Sequence, residues 1–286
     1  MVTKINIKRV KTNLVVVTCL LLIITFGSPV FANPEETNDE LSIKALAFAL
    51  GRTEAVAEGV NKEITAIKAM VEHIAMDDKI KAAVPSAASR MAEIKNIRPT
   101  IEMLFLAAPD GNFVASDGNK GSVADQDYFK QAVQKQATVV AGEPVVSKST
   151  GKLVVMVATP VKQNNQIIGF IGAAVNIDAV NNFISEQTIG MTGYAYLVGR
   201  SGLIFIHPDK EVRMKRNIAS FPIFADMWRA ALAGNKVVTQ SGNNIFVCMR
   251  ILGTSWVVYG RAFKDSVIWE ITGRIKRIPG GLIIQR

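Results

Sequence analysis

The chain has 286 residues, 49% of them hydrophobic, and a formal net charge of +9. Eight of those charges sit in two acid-free ends: Lys4, Lys8, Arg9 and Lys11 at the start, and Arg274, Lys276, Arg277 and Arg286 at the finish. The body is therefore nearly neutral and lacks the electrostatic footprint of a DNA- or RNA-binding protein.

Residues 1–32 open with a basic, polar stretch, and Leu14 to Phe26 follow as one apolar run. At about 1.5 Å per residue that run covers roughly 20 Å, short of a ~30 Å hydrocarbon layer, which suits a signal-peptide core. Val30-Phe31-Ala32 fits a small-residue cleavage site. Extension to Phe31 makes the segment nearly long enough to span as a transmembrane anchor, so both readings stand. In either case the positive flank stays cytoplasmic and residues after 32 are exported.

Residues 33–84 form the next segment, and the spacing predicts one long stalk helix over 38–84. Val56, Val60, Ile64, Ile67, Val71 and Ile74 recur at intervals of three and four, a single apolar stripe. Two such helices side by side would give a parallel homodimer, although strict heptads are not sustained. Pro85 is expected to begin a break, with a shorter helix over 86–97.

From Thr100 the period becomes that of strands. Ile101 to Ala108 and Phe113 to Ser116 are predicted to pair through an Asp110-Gly111 turn. Asp117 to Ala124 reads as a polar loop and Tyr128 to Gln136 as a short helix. Strands are expected over 144–148, 153–161 and 167–177, joined by turns at 149–152 and 163–166. Residues 85–187, closing with a connecting helix over 178–187, thus form an α+β module: an antiparallel sheet with flanking helices.

The second module, 188–263, opens with Gly193 to Pro208, GYAYLVGRSGLIFIHP. Tyr194, Tyr196 and Val198 alternate as in a half-buried strand. Arg200-Ser201-Gly202 supplies a turn, and His207-Pro208 stops the second strand. A helix over 222–233 and strands over 236–240, 244–251 and 255–262 complete a smaller sheet. Cys248 lies in one of these strands and reads as a small core hydrophobe; with Cys19 in the N-terminal run, it makes neither a disulfide framework nor a zinc site. Residues 264–286 read as a basic C-terminal tail. His73 and His207, the only histidines, are not spaced as metal ligands, and no nucleophile-and-base arrangement or phosphate-binding loop can be nominated.

The run G-Y-A-Y-L-V-x-x-x-G-x-I-x-x-H-P at 193–208 resembles the opening hairpin of the membrane-proximal module of double Cache sensor domains. Asp125-Gln126-Asp127-Tyr128-Phe129, Gly142 to Lys148 and Thr159-Pro160-Val161 resemble the membrane-distal module of the same family, the extracytoplasmic sensor part of bacterial chemoreceptors and related receptors. The resemblance covers roughly residues 35–265. It implies two PAS-like modules behind a long N-terminal helix, no enzymatic activity, no cofactor, and a small-molecule ligand bound in the distal module. The matching ligand-binding positions are Gln126, Asp127, Tyr128 and Phe129, with Ser147 and Thr159 on facing strands. Family members that bind α-amino acids carry an arginine two residues before the aromatic pair and an aspartate on the last distal strand. Here those positions are Gln126 and Ala174. A neutral amide and a methyl cannot compensate a zwitterion out of water, so a free α-amino acid is not the expected ligand. An organic acid would need Lys130 or Lys148 as its cation, and a neutral or amide-rich ligand is the other expectation.

The resemblance makes the chain the input domain of a chemotaxis-type receptor, attached to the cell membrane by its N-terminal segment. After Ala32 no eighteen-residue apolar run occurs and no output motif is found. The alternative is a solute-binding protein without its own output domain, secreted if cleaved after Ala32 and membrane-attached otherwise.

Overall fold

The computed structural model describes residues 37–82, 84–147 and 150–272. The predicted N-terminal apolar segment, Cys19 and Lys148 lie outside the described residues. Helix α1, Asn38–Ala75, is 38 residues long, about 57 Å at 1.5 Å per residue. It starts at a capping box: the Thr37 hydroxyl accepts from the Glu40 backbone N–H (3.3 Å), and the Glu40 carboxylate accepts from that of Thr37 (3.0 Å). Leu41, Ala45, Ala49, Thr53, Val56, Val60, Ile64, Val71 and Ile74 form its buried stripe.

The helix does not run unbroken to residue 84. It ends at Ala75, because Asp77 begins a new turn. The Asp77 carboxylate accepts from the Lys79 backbone N–H at 3.0 Å, and its carbonyl accepts from that of Ile80 at 3.1 Å. These bonds start α2, Asp78–Ala82. Helix α3 is Val84–Ile97, so Pro85 falls in a first turn. There its missing N–H costs nothing, and it opens a helix rather than breaking one.

The first sheet contains β1 Ile101–Ala107, β2 Asn112–Ala115, β3 Lys120–Ser122, β4 Val139–Val140, β5 Val145–Val146, β6 Leu153–Gln163 and β7 Gln166–Asn176. Its order is β3-β2-β1-β7-β6-β4, with β5 also on β6, and every pairing is antiparallel. Two Asp-Gly-Asn turns build the β1-β2-β3 meander. Asp110 and Asp117 each accept from the backbone N–H two residues on, at 2.9 and 3.0 Å, while Gly111 and Gly118 take φ of +90° and +83°. The loop expected at 117–124 therefore contains a strand. Asn164 and Asn165, with φ of +50° and +62°, close the β6–β7 hairpin in the left-handed turn that matches strand twist. Helix α4, Asp127–Lys135, lies between β3 and β4, and α5, Asp178–Glu186, leads out of the module.

The second sheet contains β8 Thr188–Ile189, β9 Gly193–Val198, β10 Ile204–Ile206, β11 Val237–Ser241, β12 Asn244–Arg250 and β13 Val257–Phe263. Its order is β10-β9-β13-β12-β11, with β8 also on β9. Helix α6, Pro222–Leu232, crosses between β10 and β11. The hairpin expected at 193–208 is present, with Gly202 at φ +90°. Cys248 is fully buried, and its thiol donates to the Met227 carbonyl at 3.3 Å. Lys264–Thr272 is helix α7 rather than tail. Val267 is buried, and the Ser266 hydroxyl accepts from the Met191 N–H at 2.8 Å.

Both sheets rest on α1. Thr53 lies against Gly260 of β13, Glu54 pairs with Lys236 at 2.6 Å, and Gly59 makes room for the Phe183 ring of α5. Farther along, α1 packs on β6 and β7. Among the described residues no helix is long and apolar enough to cross a membrane.

Candidate functional site

Helix α4 carries most of the residues that the sequence nominates. Gln126 caps its start with extended backbone, φ −77° and ψ 127°, and its side chain makes no capping bond. Asp127, in the first turn, suits the positive end of the helix dipole. It is exposed, and its carboxylate lies 3.8 Å from the Arg200 guanidinium of the second module. Tyr128 and Phe129 turn inward and are 7% and 3% exposed. Burial pushes the Tyr128 hydroxyl up to about 12, so this residue is neutral at any ordinary pH. The Phe129 ring meets Phe170 of β7 edge-on, with centroids 5.2 Å apart.

The sheet beneath is apolar. Phe170, Gly172 and Ala174 alternate along one face of β7, and in register with them stand Ala107, Phe105 and Met103 of β1. The Phe105 ring covers Gly172 closely enough that a Cβ there would fall inside it. The Phe113 ring lies tilted against Phe105, with centroids 4.7 Å apart. Ala174 is buried on this floor.

A cavity of about 260 Å³ opens beside the outer face of α4. Phe129, Lys130, Val133 and Gln134 wall it on one side, and Ala124 and the β1–β2 turn at Pro109 and Asp110 wall the other. Lys130 has one exposed carboxylate within reach, Asp125 at 3.9 Å. The cavity is smaller than the ~300–1,000 Å³ of ordinary small-ligand sites, so it suits only a very small ligand.

The remaining nominated residues are not gathered there. The Ser147 backbone N–H donates to the Lys152 carbonyl at 2.8 Å, which places Ser147 at the near end of β6. Thr159 is seven residues farther along the same strand, about 23 Å away. Its hydroxyl donates to that of Thr138 at 3.2 Å. Because Pro160 stands opposite Phe170, alternation turns Thr159 to the opposite face from the Phe129–Phe170 pair. One small ligand cannot touch both Ser147 and Thr159.

The second module holds a polar constellation that the sequence reading only partly anticipated. His207 sits edge-on between the rings of Tyr194 and Tyr196, at 5.3 and 5.2 Å. Its Nδ1 accepts from the Asp209 backbone N–H at 3.0 Å. Burial holds its pKa below 6.5, with Asp209 opposing and Arg213 and Arg261 assisting. Tyr196 stacks on Tyr259 at 5.0 Å, and the Tyr259 hydroxyl donates to the Phe224 carbonyl at 2.7 Å. Arg261 donates to the Tyr194 hydroxyl and to the Asn244 side-chain oxygen, and its guanidinium lies 5.0 Å from the Phe263 ring centre. Arg261 was missed, although a charge inside the apolar strand Val257–Phe263 was its visible signal. Among the described residues no three His, Cys, Asp or Glu side chains gather to hold a metal.

Comparison with known proteins gives one answer. Residues 35–268 match the family model described as Cache domain. Methyl-accepting chemotaxis protein PscA of Pseudomonas syringae pv. tomato is 27% identical over 212 residues, covering 71% of this chain and 33% of that receptor. McpC of Bacillus subtilis is 23% identical over 243 residues, covering 82% of this chain and 33% of its own length. The chain thus spans about a third of the length of these curated relatives. Among solved structures, the ligand-binding domain of Pseudomonas fluorescens chemoreceptor CtaA in complex with L-isoleucine superposes with a TM-score of 0.61 at 18% identity, over 83% of this chain and all of that one. The ligand-binding domain of Pseudomonas aeruginosa PctB in complex with L-Gln gives 0.55 at 20% identity, over 76% of this chain and 90% of that one. A two-sheet architecture on one helical spine, and a family match running from before α1 to within α7, carry the same conclusion: the chain belongs to the Cache domain family.

Proposed function

We propose that this chain senses a small molecule outside the cytoplasm, as the input domain of a chemotaxis-type receptor attached to the membrane through its N-terminal segment. The Cache match over residues 35–268 carries this reading. The ligand site is the α4 edge of the first module, where Phe129 and Lys130 line the 260 Å³ cavity and Gln126 and Asp127 stand exposed at the start of the helix.

The ligand is not a free α-amino acid, even though CtaA and PctB were crystallised with such ligands. The support is chemical: Gln126 offers no cation for an α-carboxylate, and the floor at Ala174 offers no anion for an ammonium. Lys130 favours a small organic acid instead, held by one ammonium over an aromatic wall. Calorimetric titration of the protein with the twenty amino acids and with a set of small carboxylic acids tests this. Binding is expected in the second set, weakened at least tenfold by Lys130→Gln. Tight binding of any α-amino acid overturns it.

A further inference from the structure

Between β4 and β5 the first module extends Gly142-Glu143-Pro144 towards the turn of the β9–β10 hairpin in the second. The Glu143 carboxylate enters that turn and accepts a hydrogen bond from the Ser201 backbone N–H. One residue earlier, the Gly142 carbonyl accepts from the Arg200 backbone N–H at 3.2 Å. The approach depends on glycine on both sides. A Cβ on Gly199 would fall inside the Glu143 carboxylate, and one on Gly142 would stand 2.9 Å from the Ser255 hydroxyl and 3.1 Å from Arg200 Cβ. The other Glu143 oxygen, Oε2, is buried without a hydrogen-bond partner. Burial raises the Glu143 carboxyl above 4.5, against the pull of the Ser201 and Arg200 donors and the Arg200 charge.

The same turn is tied to helices of both modules. The Arg200 guanidinium reaches Asp127 in the first turn of α4 at 3.8 Å. On the other side, the Trp228 indole of α6 donates to the Gly199 carbonyl at 3.2 Å. The contact thus joins the helix beside the candidate ligand cavity to the helix that covers the second sheet.

We propose that Glu143 is the coupling residue between the modules, a carboxylate pin that fixes the second module's hairpin turn to the β4–β5 segment of the first. What the pin would transmit rests on the sensing function proposed above; the pin itself does not. A displacement of α4 acts on Arg200 through Asp127, and the turn can follow only as far as Glu143 allows.

Amide hydrogen exchange on the intact protein, without any ligand, tests the pin separately from the sensing reading. Glu143→Ala is expected to raise exchange of the Arg200 and Ser201 amides at least tenfold. Glu143→Gln keeps a carbonyl oxygen in the turn and is expected to stay within about threefold of the wild type. Gly199→Ala, made from the opposite side of the contact, should reproduce the alanine result and serves if Glu143→Ala does not fold. Unchanged exchange at 199–203 in Glu143→Ala, or a rise confined to 139–146, overturns the proposal.

Discussion

The first sheet turns Phe105, Phe170, Gly172 and Ala174 towards the side where α4 packs, whereas the second turns Tyr194, Tyr196, Tyr259 and Arg261 towards the side where α6 packs. The architectures repeat, but the forces differ. The first face is held by apolar contact, which is non-directional and tolerates re-packing. The second is held by hydroxyl and guanidinium bonds of fixed geometry, such as Tyr259 to the Phe224 carbonyl and Arg261 to the Tyr194 hydroxyl. A face that must shape itself around a ligand gains from the first kind of adhesion. A face that must pass on a displacement without absorbing it gains from the second.

Glycine substitutions probe this difference most strongly. A Cβ on Gly193 of β9 would collide with the backbone carbonyls of Ile189 and Arg261. Gly193→Ala should cost about 3 kcal/mol or more in urea denaturation, with no single side-chain change able to recover it. The three atoms nearest a Cβ on Gly172 all belong to the Phe105 ring. Gly172→Ala should cost about 1–3 kcal/mol, and adding Phe105→Leu should restore most of it. Failure of that rescue would mean the first face is as rigid as the second. A smaller effect is expected from Tyr259→Phe, which removes the hydroxyl bond to the Phe224 carbonyl and should cost about 1–2 kcal/mol by the same denaturation measurement.

The pH dependence is the finest probe. The folded state favours neutral His207, whose pKa lies below 6.5 because of burial. Its stabilising contribution is present above pH 6.5 and is lost as the pH falls through the lowered folded-state value. The protection of β9 and β10 amides, taken relative to the intrinsic exchange rate at each pH, should therefore fall on acidification in the wild type, and less so in His207→Gln. The strands of the first sheet contain no histidine, so that sheet should show no matching response. A parallel response there would remove the contrast.

Much of this fold was legible in the residues. Asp110-Gly111, Asn164-Asn165 and Gly202 announce turns because few side chains tolerate positive φ. The long strands and the stripe of α1 show their periods over many residues. The two-residue strands β4, β5 and β8 are too short to show a period, and they exist only because a neighbouring strand offers free hydrogen-bonding groups. The break at Asp77 and the role of Pro85 depend on capping bonds two and three residues away. At the site, the sequence nominated Tyr128 and Phe129 as ligand-binding positions; both are buried, and Phe129 borders the cavity. The separation of Ser147 from Thr159 was not, since it follows from where β4 and β5 land along β6. The cavity beside Lys130 was hidden for the same reason, because its far wall is a turn nearly twenty residues earlier in the chain.

Helix α1 is shared by both sheets, with Thr53 against the second and its farther turns against the first. Each residue of an α-helix advances about 100° around the axis. Inserting one residue near Gly59 would swing every buried position beyond it a quarter-turn or more out of its groove, and a second insertion would double the error. The distance between the sheets along this spine is therefore quantised: lengths that differ by about seven residues nearly restore the angular register, and intermediate lengths do not. Relatives with longer or shorter spines should differ by such steps, so the angle between their modules is set by counting residues in the helix as much as by the surfaces that meet.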